Sequence, residues 1–145
     1  MGSIMLPITL VTAGAAAILN LWLGLRTGAV RSKAQVYVGD GGNEALIRRM
    51  RAHANFVEYA PFIVMLIGLI EFTTGTSVWL WVASVLFVVA RLAHPIGMDG
   101  LRPARMAGTL ITFALLLGLG VYAVTLPFLT APVRSVPAVS AAPAG

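Results

Sequence analysis

Apolar residues run along this chain in long uncharged blocks. Positions 1–25, 72–90 and 106–133 contain no Asp, Glu, Lys or Arg, and a further apolar stretch lies between Glu58 and Glu71. A helix needs about 20 such residues to cross a bilayer core, and each block approaches or exceeds that length. A transmembrane barrel would instead show roughly ten-residue segments of alternating hydrophobicity, a pattern this sequence lacks. Helices satisfy their own backbone groups where no water can. The pattern therefore predicts an all-α integral membrane protein, a bundle of four transmembrane helices over about residues 4–25, 43–74, 78–94 and 105–129. Together they make one membrane domain over residues 1–131, and the Pro- and Ala-rich segment 132–145, without helical periodicity, is expected to be a disordered tail.

Composition agrees: 59% of residues are hydrophobic, 10% are charged, and the mean hydropathy is +0.91, values outside the range of water-soluble domains of 145 residues. The net charge of +5 could suggest nucleic acid, but the distribution of the cations argues for membrane topology. Arg26, Arg31, Lys33, Arg48, Arg49 and Arg51 lie between the first two spans, and Arg91, Arg102 and Arg105 between the last two, which accounts for nine of the ten cationic residues. In an up-and-down topology these connections share one side. The positive-inside rule makes that side the cytoplasm and places both termini on the opposite side of the membrane. The first apolar run carries its positive charge after it rather than before it, so it reads as a retained helix and not a secretory signal. There is no cysteine, which excludes disulfides, thiolate metal sites and a cysteine nucleophile; no metal site is expected, and any thiol chemistry needs a borrowed thiol.

Small residues at Gly14, Ala15, Ala16 and Ala17 permit close helix approach, and Asn20 is expected to make an interhelical hydrogen bond. Residues 26–42 read as a basic loop ending in Gly39-Asp40-Gly41-Gly42, before a helix start near Asn43. The glycines are not a phosphate loop, because no strand precedes them and no Lys-Ser or Lys-Thr pair follows. Pro61 leaves the Val57 carbonyl without its helical donor. Trp79 and Trp81 suit an interfacial aromatic belt. The third helix should end near Pro95, with Gly97, Asp99, Gly100 and Pro103 forming the second cytoplasmic turn.

Arg51, Asn55 and Glu58, spaced four and three apart, occupy one stripe of a helix, which Arg48 and Glu44 extend. A central acidic residue costs about 2.5–3.5 kcal/mol on insertion scales, less near the surface. Two readings offset that cost. Arg51 pairs with Glu58 in a helix-end ionic network, or the stripe faces a cytoplasm-open cleft where the arginine binds an anion while Asn55 and Glu58 hold amide and ammonium groups. Arg91 and His94 form a second cluster with Arg102 and Arg105. His94 is either a hydrogen-bonded structural residue or part of that site. Arg26, Arg49 and Arg102 are expected to snorkel toward lipid headgroups.

The run Arg51-Ala52-His53-Ala54-Asn55-Phe56-Val57-Glu58-Tyr59-Ala60-Pro61 closely resembles the second-helix signature of the MAPEG family, membrane-associated proteins in eicosanoid and glutathione metabolism. Gly39-Asp40-Gly41-Gly42-Asn43-Glu44-Ala45-Leu46 is similar to its bacterial members, and Arg91-Leu92-Ala93-His94 with Arg102 and Arg105 matches the end of the family's third helix and the start of its fourth. The resemblance covers roughly residues 4–129. It implies a homotrimer in a bacterial inner membrane, with glutathione bound as cosubstrate between subunits near the cytoplasmic face. Carried onto matching positions, it implies glutathione contacts at Arg31, Arg51, Asn55, Glu58, Tyr59, Arg91 and His94. It also implies a catalytic Arg105 facing the sulfur from a neighbouring subunit. A free thiol titrates near 8.5, and a nearby cation favours the nucleophilic thiolate.

Met98 stands where well-known animal members carry a tyrosine; Met106 and Ala54 replace a serine and an arginine of the prostaglandin E synthase branch. These departures argue against prostaglandin isomerisation and for glutathione conjugation, or peroxide reduction, of lipophilic electrophiles drawn from the bilayer. The alternative is a non-catalytic lipid-binding or scaffold protein on the same fold. A small multidrug exporter would need a deep acid in the first helix, which has none.

Overall fold

A computed structural model describes residues 5–129; the expected tail at 132–145 and Ile4, the first residue of the expected first helix, lie outside the described residues. Four helices follow one another, α1 (Pro7–Ala34), α2 (Glu44–Thr74), α3 (Val78–Met98) and α4 (Arg102–Leu129), and the described residues contain no strand. All four are long and apolar enough to span a membrane. The short connections at 75–77 and 99–101 make successive helices run in opposite directions.

α3 packs most extensively on α4 and α1 on α2, while α1 and α4 do not pack on each other. The bundle is open along that side. Its core runs through Ile8, Leu19, Leu23, Phe56, Ile63, Ile67, Leu80, Phe87 and Leu119. Outside it, Leu10, Ile18, Leu69, Val82, Leu117 and Val124 are all more than half exposed, an apolar exterior that hydrocarbon tolerates and water does not.

Three boundaries differ from the sequence reading. α1 continues to Ala34 instead of stopping near Leu25, so the connection shrinks from 26–42 to 35–43. Its end is held by Gln35, in the left-handed region at φ 55°, and by Arg31, whose Nη1 donates to the carbonyls of Val36 (3.2 Å) and Gly39 (2.8 Å). Cations in the last turn favour the helix dipole, which is why a basic stretch reads as loop yet folds as helix. α3 runs through Pro95 to Met98, and α4 begins at Arg102, so the turn is only 99–101. Asn43 caps α2, its side chain accepting from the Leu46 amide at 3.0 Å.

At the opposite end, Glu71 near the end of α2 caps α1. Its carboxylate accepts from the amides of Ile8 (3.0 Å) and Thr9 (2.8 Å) and from the hydroxyls of Thr9 (2.6 Å) and Thr76 (3.0 Å). The residue is 1% exposed. A buried carboxylate with four donors at a helix N-terminus is compensated by hydrogen bonds and by the helix dipole together. Midway, Thr12 of α1 meets Ser84 of α3 at 2.6 Å, and Asn20 meets Nε2 of His53 at 2.8 Å.

Candidate functional site

The charged end of the bundle is set by Asp99 in the α3–α4 turn. Its carboxylate accepts from Arg49 Nε of α2 at 2.9 Å and pairs with Arg26 of α1. The Arg26 guanidinium also lies 4.4 Å from the Trp22 ring. Arg26 and Arg49 are therefore anchored within the chain, not released to lipid as the sequence suggested. One turn residue ties three elements.

Two glycines then bring α4 against α3. A Cβ on Gly97 would come within 2.6 Å of Arg105 Cβ and closer still to its backbone, and one on Gly108 within 2.7 Å of the Ala90 carbonyl. No real Cβ fits either place, so both positions need glycine for the helices to approach. The consequence is local: Arg105 is laid beside the end of α3, next to His94 and Met98.

There α2, α3 and α4 enclose a shallow crevice of about 90 Å³ lined by Arg51, Asn55, Glu58, His94, Met98 and Arg105. Arg51 to Glu58 spans seven residues, a rise of about 10 Å. Among the described residues the ion pairs are Arg26–Asp99, Arg49–Asp99 and Arg48–Glu44. Arg51 and Glu58 are thus not paired there, and the side chains of Arg51, Glu58 and Arg105, all exposed, make no hydrogen bond among the described residues. Imidazole Nδ1 of His94, a 4% exposed residue, also lacks a partner among the described residues.

Arg91 stands behind the crevice. It is 1% exposed; Nη2 donates to Asn55 Oδ1 at 2.8 Å, Nη1 donates to Thr112 Oγ1 at 3.2 Å, and the guanidinium lies 5.5 Å from the Phe56 ring. The Thr112 hydroxyl in turn donates to the Gly108 carbonyl at 2.7 Å. With Oδ1 taken by Arg91, the amide NH2 is the donor end that Asn55, a lining residue of the crevice, has to offer. Tyr59 is half-buried with its ring edge-on to Phe113 at 5.5 Å.

Of the residues proposed from sequence, the structure brings Arg51, Asn55, Glu58, His94 and Arg105 into one crevice. Arg91 reaches it through Asn55, Tyr59 lies beside it on α2, and Arg31 is occupied by its own loop, donating also to Met50 Sδ at 3.4 Å. Arg105 joins the crevice of its own chain, whereas the family resemblance implied delivery from a neighbour. Sequence reasoning missed Asp99, Thr112 and the two glycines; Asp99 and Gly97 carried only a turn signal, and Gly108 and Thr112 none.

The arrangement offers two guanidinium groups, a carboxylate, an amide and an imidazole to one guest. Among the described residues no cluster of metal-ligating side chains occurs. A crevice of about 90 Å³ is smaller than ligand pockets of roughly 300–1,000 Å³, too small to enclose a whole peptide-sized ligand. Comparison with known families matches residues 9–125 to the MAPEG family. A search of curated proteins finds no match.

Proposed function

The chain belongs to the MAPEG family, whose members use glutathione, and from that premise we propose that it is a membrane-bound glutathione transferase acting on lipophilic electrophiles. One observation carries the reading: Arg51, Glu58 and Arg105 share a crevice and, among the described residues, have no ion-pair partner. Charges at a membrane edge are costly without a partner. Glutathione supplies a carboxylate for Arg51, an ammonium for Glu58 and amide oxygens for the fixed Asn55 NH2. Its thiol falls to Arg105.

The chemistry is nucleophilic. Arg105 stabilises the thiolate over the thiol, the sulfur attacks an electrophile entering from the bilayer, and His94 closes the wall behind the reacting pair. The crevice's small volume supports a site completed by a neighbouring copy, in a homotrimer. In this reading Arg91 acts by holding Asn55, and Arg31 by shaping the α1–α2 loop. The cation-rich connections support a crevice at the cytoplasmic face of a bacterial inner membrane, with both termini periplasmic and glutathione drawn from the cytosol.

Purified protein in detergent should conjugate glutathione to a chlorodinitrobenzene, and Arg105→Ala should lower kcat by at least about tenfold. Turnover no greater than that of the variant, across several electrophiles and a hydroperoxide, would refute the enzyme. Glutathione binding without turnover would favour the lipid-binding alternative.

A further inference from the structure

One residue of the crevice takes no part in the proposed thiol chemistry. Five of the lining side chains are charged or polar, and the sixth is Met98, half-buried at the last position of α3. The chain has no cysteine, so the Met98 thioether is the only protein sulfur lining the crevice.

Its surroundings differ from those of the other described methionines. Met5 and Met106 are 68% and 64% exposed on the exterior, Met65 lines an apolar groove between α1 and α2, and Met50 Sδ already accepts from Arg31 Nη2 at 3.4 Å. Met98 instead shares its crevice with two donors in want of an acceptor. One is the exposed Arg105 guanidinium; the other is Nδ1 of His94, on a residue only 4% exposed and without a partner among the described residues. A buried polar atom left unpaired calls for an explanation. A thioether sulfur is too weak an acceptor to supply one, whereas oxidation to the sulfoxide makes the side chain polar and adds an oxygen that accepts strongly.

We propose that Met98 is a site of oxidation by lipophilic hydroperoxides, and that its sulfoxide oxygen engages His94 and Arg105 and so obstructs glutathione, a peroxide-sensitive brake on the crevice. The effect on glutathione rests on the transferase reading; the oxidation site does not. The sulfur lone pair attacks the terminal peroxide oxygen, and an S–O bond forms as the O–O bond breaks. The O–O pair leaves on the alkoxide, which then takes the hydroxyl proton from the hydroxysulfonium. Methionine is oxidised to its sulfoxide and the hydroperoxide reduced to its alcohol, with no further reactant. Arg105 favours the step by receiving the developing alkoxide charge, a service that the apolar surroundings of Met65 do not offer. Methionine sulfoxide reductases return the thioether, which makes the brake reversible.

The test treats the full chain in neutral detergent with limiting cumene hydroperoxide, then removes the peroxide. Peptide mass spectrometry should find the added oxygen on Met98 ahead of Met5, Met50, Met65 and Met106. The chain has two histidines, so nitrogen NMR of histidine-labelled protein resolves His94, whose Nδ1 resonance should move on oxidation in wild type and stay in place in Met98→Leu, a volume-conserving change. By calorimetric titration, oxidised wild type should bind glutathione about three- to tenfold more weakly than untreated protein, the loss expected when a donor is diverted to another acceptor. The affinity of Met98→Leu, whatever its starting value, should not respond to peroxide. Met98→Gln, which brings a side-chain amide oxygen without any peroxide, should bind glutathione more weakly than Met98→Leu. Oxidation that falls first on another methionine or evenly on all, an unmoved His94 resonance, or an equal loss of affinity in peroxide-treated Met98→Leu overturns the inference, as does unaltered glutathione affinity in the oxidised wild type. Preferential oxidation of Met98 with a moved His94 resonance, in a protein that binds no glutathione even before treatment, upholds the site and refutes the transferase reading.

Discussion

Replacing Arg91 by methionine separates its two tasks, holding the bundle and holding Asn55. The guanidinium is 1% exposed and meets no carboxylate among the described residues. Keeping an ion there without a counter-charge costs several kcal/mol, and methionine fills the stem's volume with no such demand. Against that gain stands the loss of two hydrogen bonds from a charged donor, each about 1.5–3 kcal/mol. Thr112 loses one donor but keeps its bond to the Gly108 carbonyl, whereas Asn55 Oδ1 loses the Arg91 donor that holds it. The opposing effects leave stability within about 2 kcal/mol of wild type. Binding changes differently, because a freed Asn55 must be ordered by the ligand. Immobilising one such side chain costs about 0.5–1.5 kcal/mol, a roughly two- to twelvefold rise in the glutathione Kd. Thermal denaturation in detergent measures the first quantity and calorimetric titration the second. In an Asn55→Ala background the Arg91→Met effect on Kd should vanish, since its intermediary is gone. Wild-type affinity in Arg91→Met, or an undiminished effect without Asn55, would refute this.

Other consequences follow from the same geometry. Glu71→Ala removes the cap that α2 supplies to α1 and should cost at least about 2 kcal/mol, seen as a lower Tm, while glutathione affinity, set at the opposite end, stays the same; an unchanged Tm would contradict the cap. Gly97→Ala forces α4 away from α3 and should cost about 1–3 kcal/mol or more, and because Arg105 moves with α4, kcat should fall more than the glutathione Kd rises. Asp99→Asn breaks two partly exposed ion pairs, each worth about 1 kcal/mol or less, so a Tm drop of only a few degrees, growing smaller with added salt, is expected. The pH profile of kcat should report a thiol titrating below the usual 8.5 of a free thiol, since Arg105 favours the anion. Arg105→Gln should move the rising limb to higher pH, and an unmoved limb would remove Arg105 from the chemistry.

The four spans were legible because charge is expensive in hydrocarbon, so the chain's uncharged blocks map onto its helices. Helix ends were not legible where a basic stretch continues as helix: Arg31 and Lys33 in the last turn of α1 look like loop by composition alone. Pro95 misled in the same way, since a helix near its C-terminus tolerates a proline that pattern reading takes as a stop. The α2 stripe of Arg51, Asn55 and Glu58 was readable from spacing, because neighbours on one helix share a face. What could not be read was which partner each polar group finds across helices. Arg26 and Arg49 converge on Asp99, and Glu71 reaches the start of α1, contacts separated by dozens of residues and fixed only by packing. The approach of Arg105 to α3 depends on the absent side chains of Gly97 and Gly108, a property of surfaces in contact that periodicity does not encode.

The central claim is that the unpaired charges at the crevice hold glutathione, and calorimetric titration of the detergent-solubilised protein with glutathione tests it most directly. Wild type should bind saturably, with Arg51→Gln and Glu58→Gln each weakening binding at least about tenfold, as expected for losing a charge-assisted hydrogen bond of about 1.5–3 kcal/mol, and with unchanged thermal stability. No binding by the wild type, or equal affinity in both variants, would contradict the account.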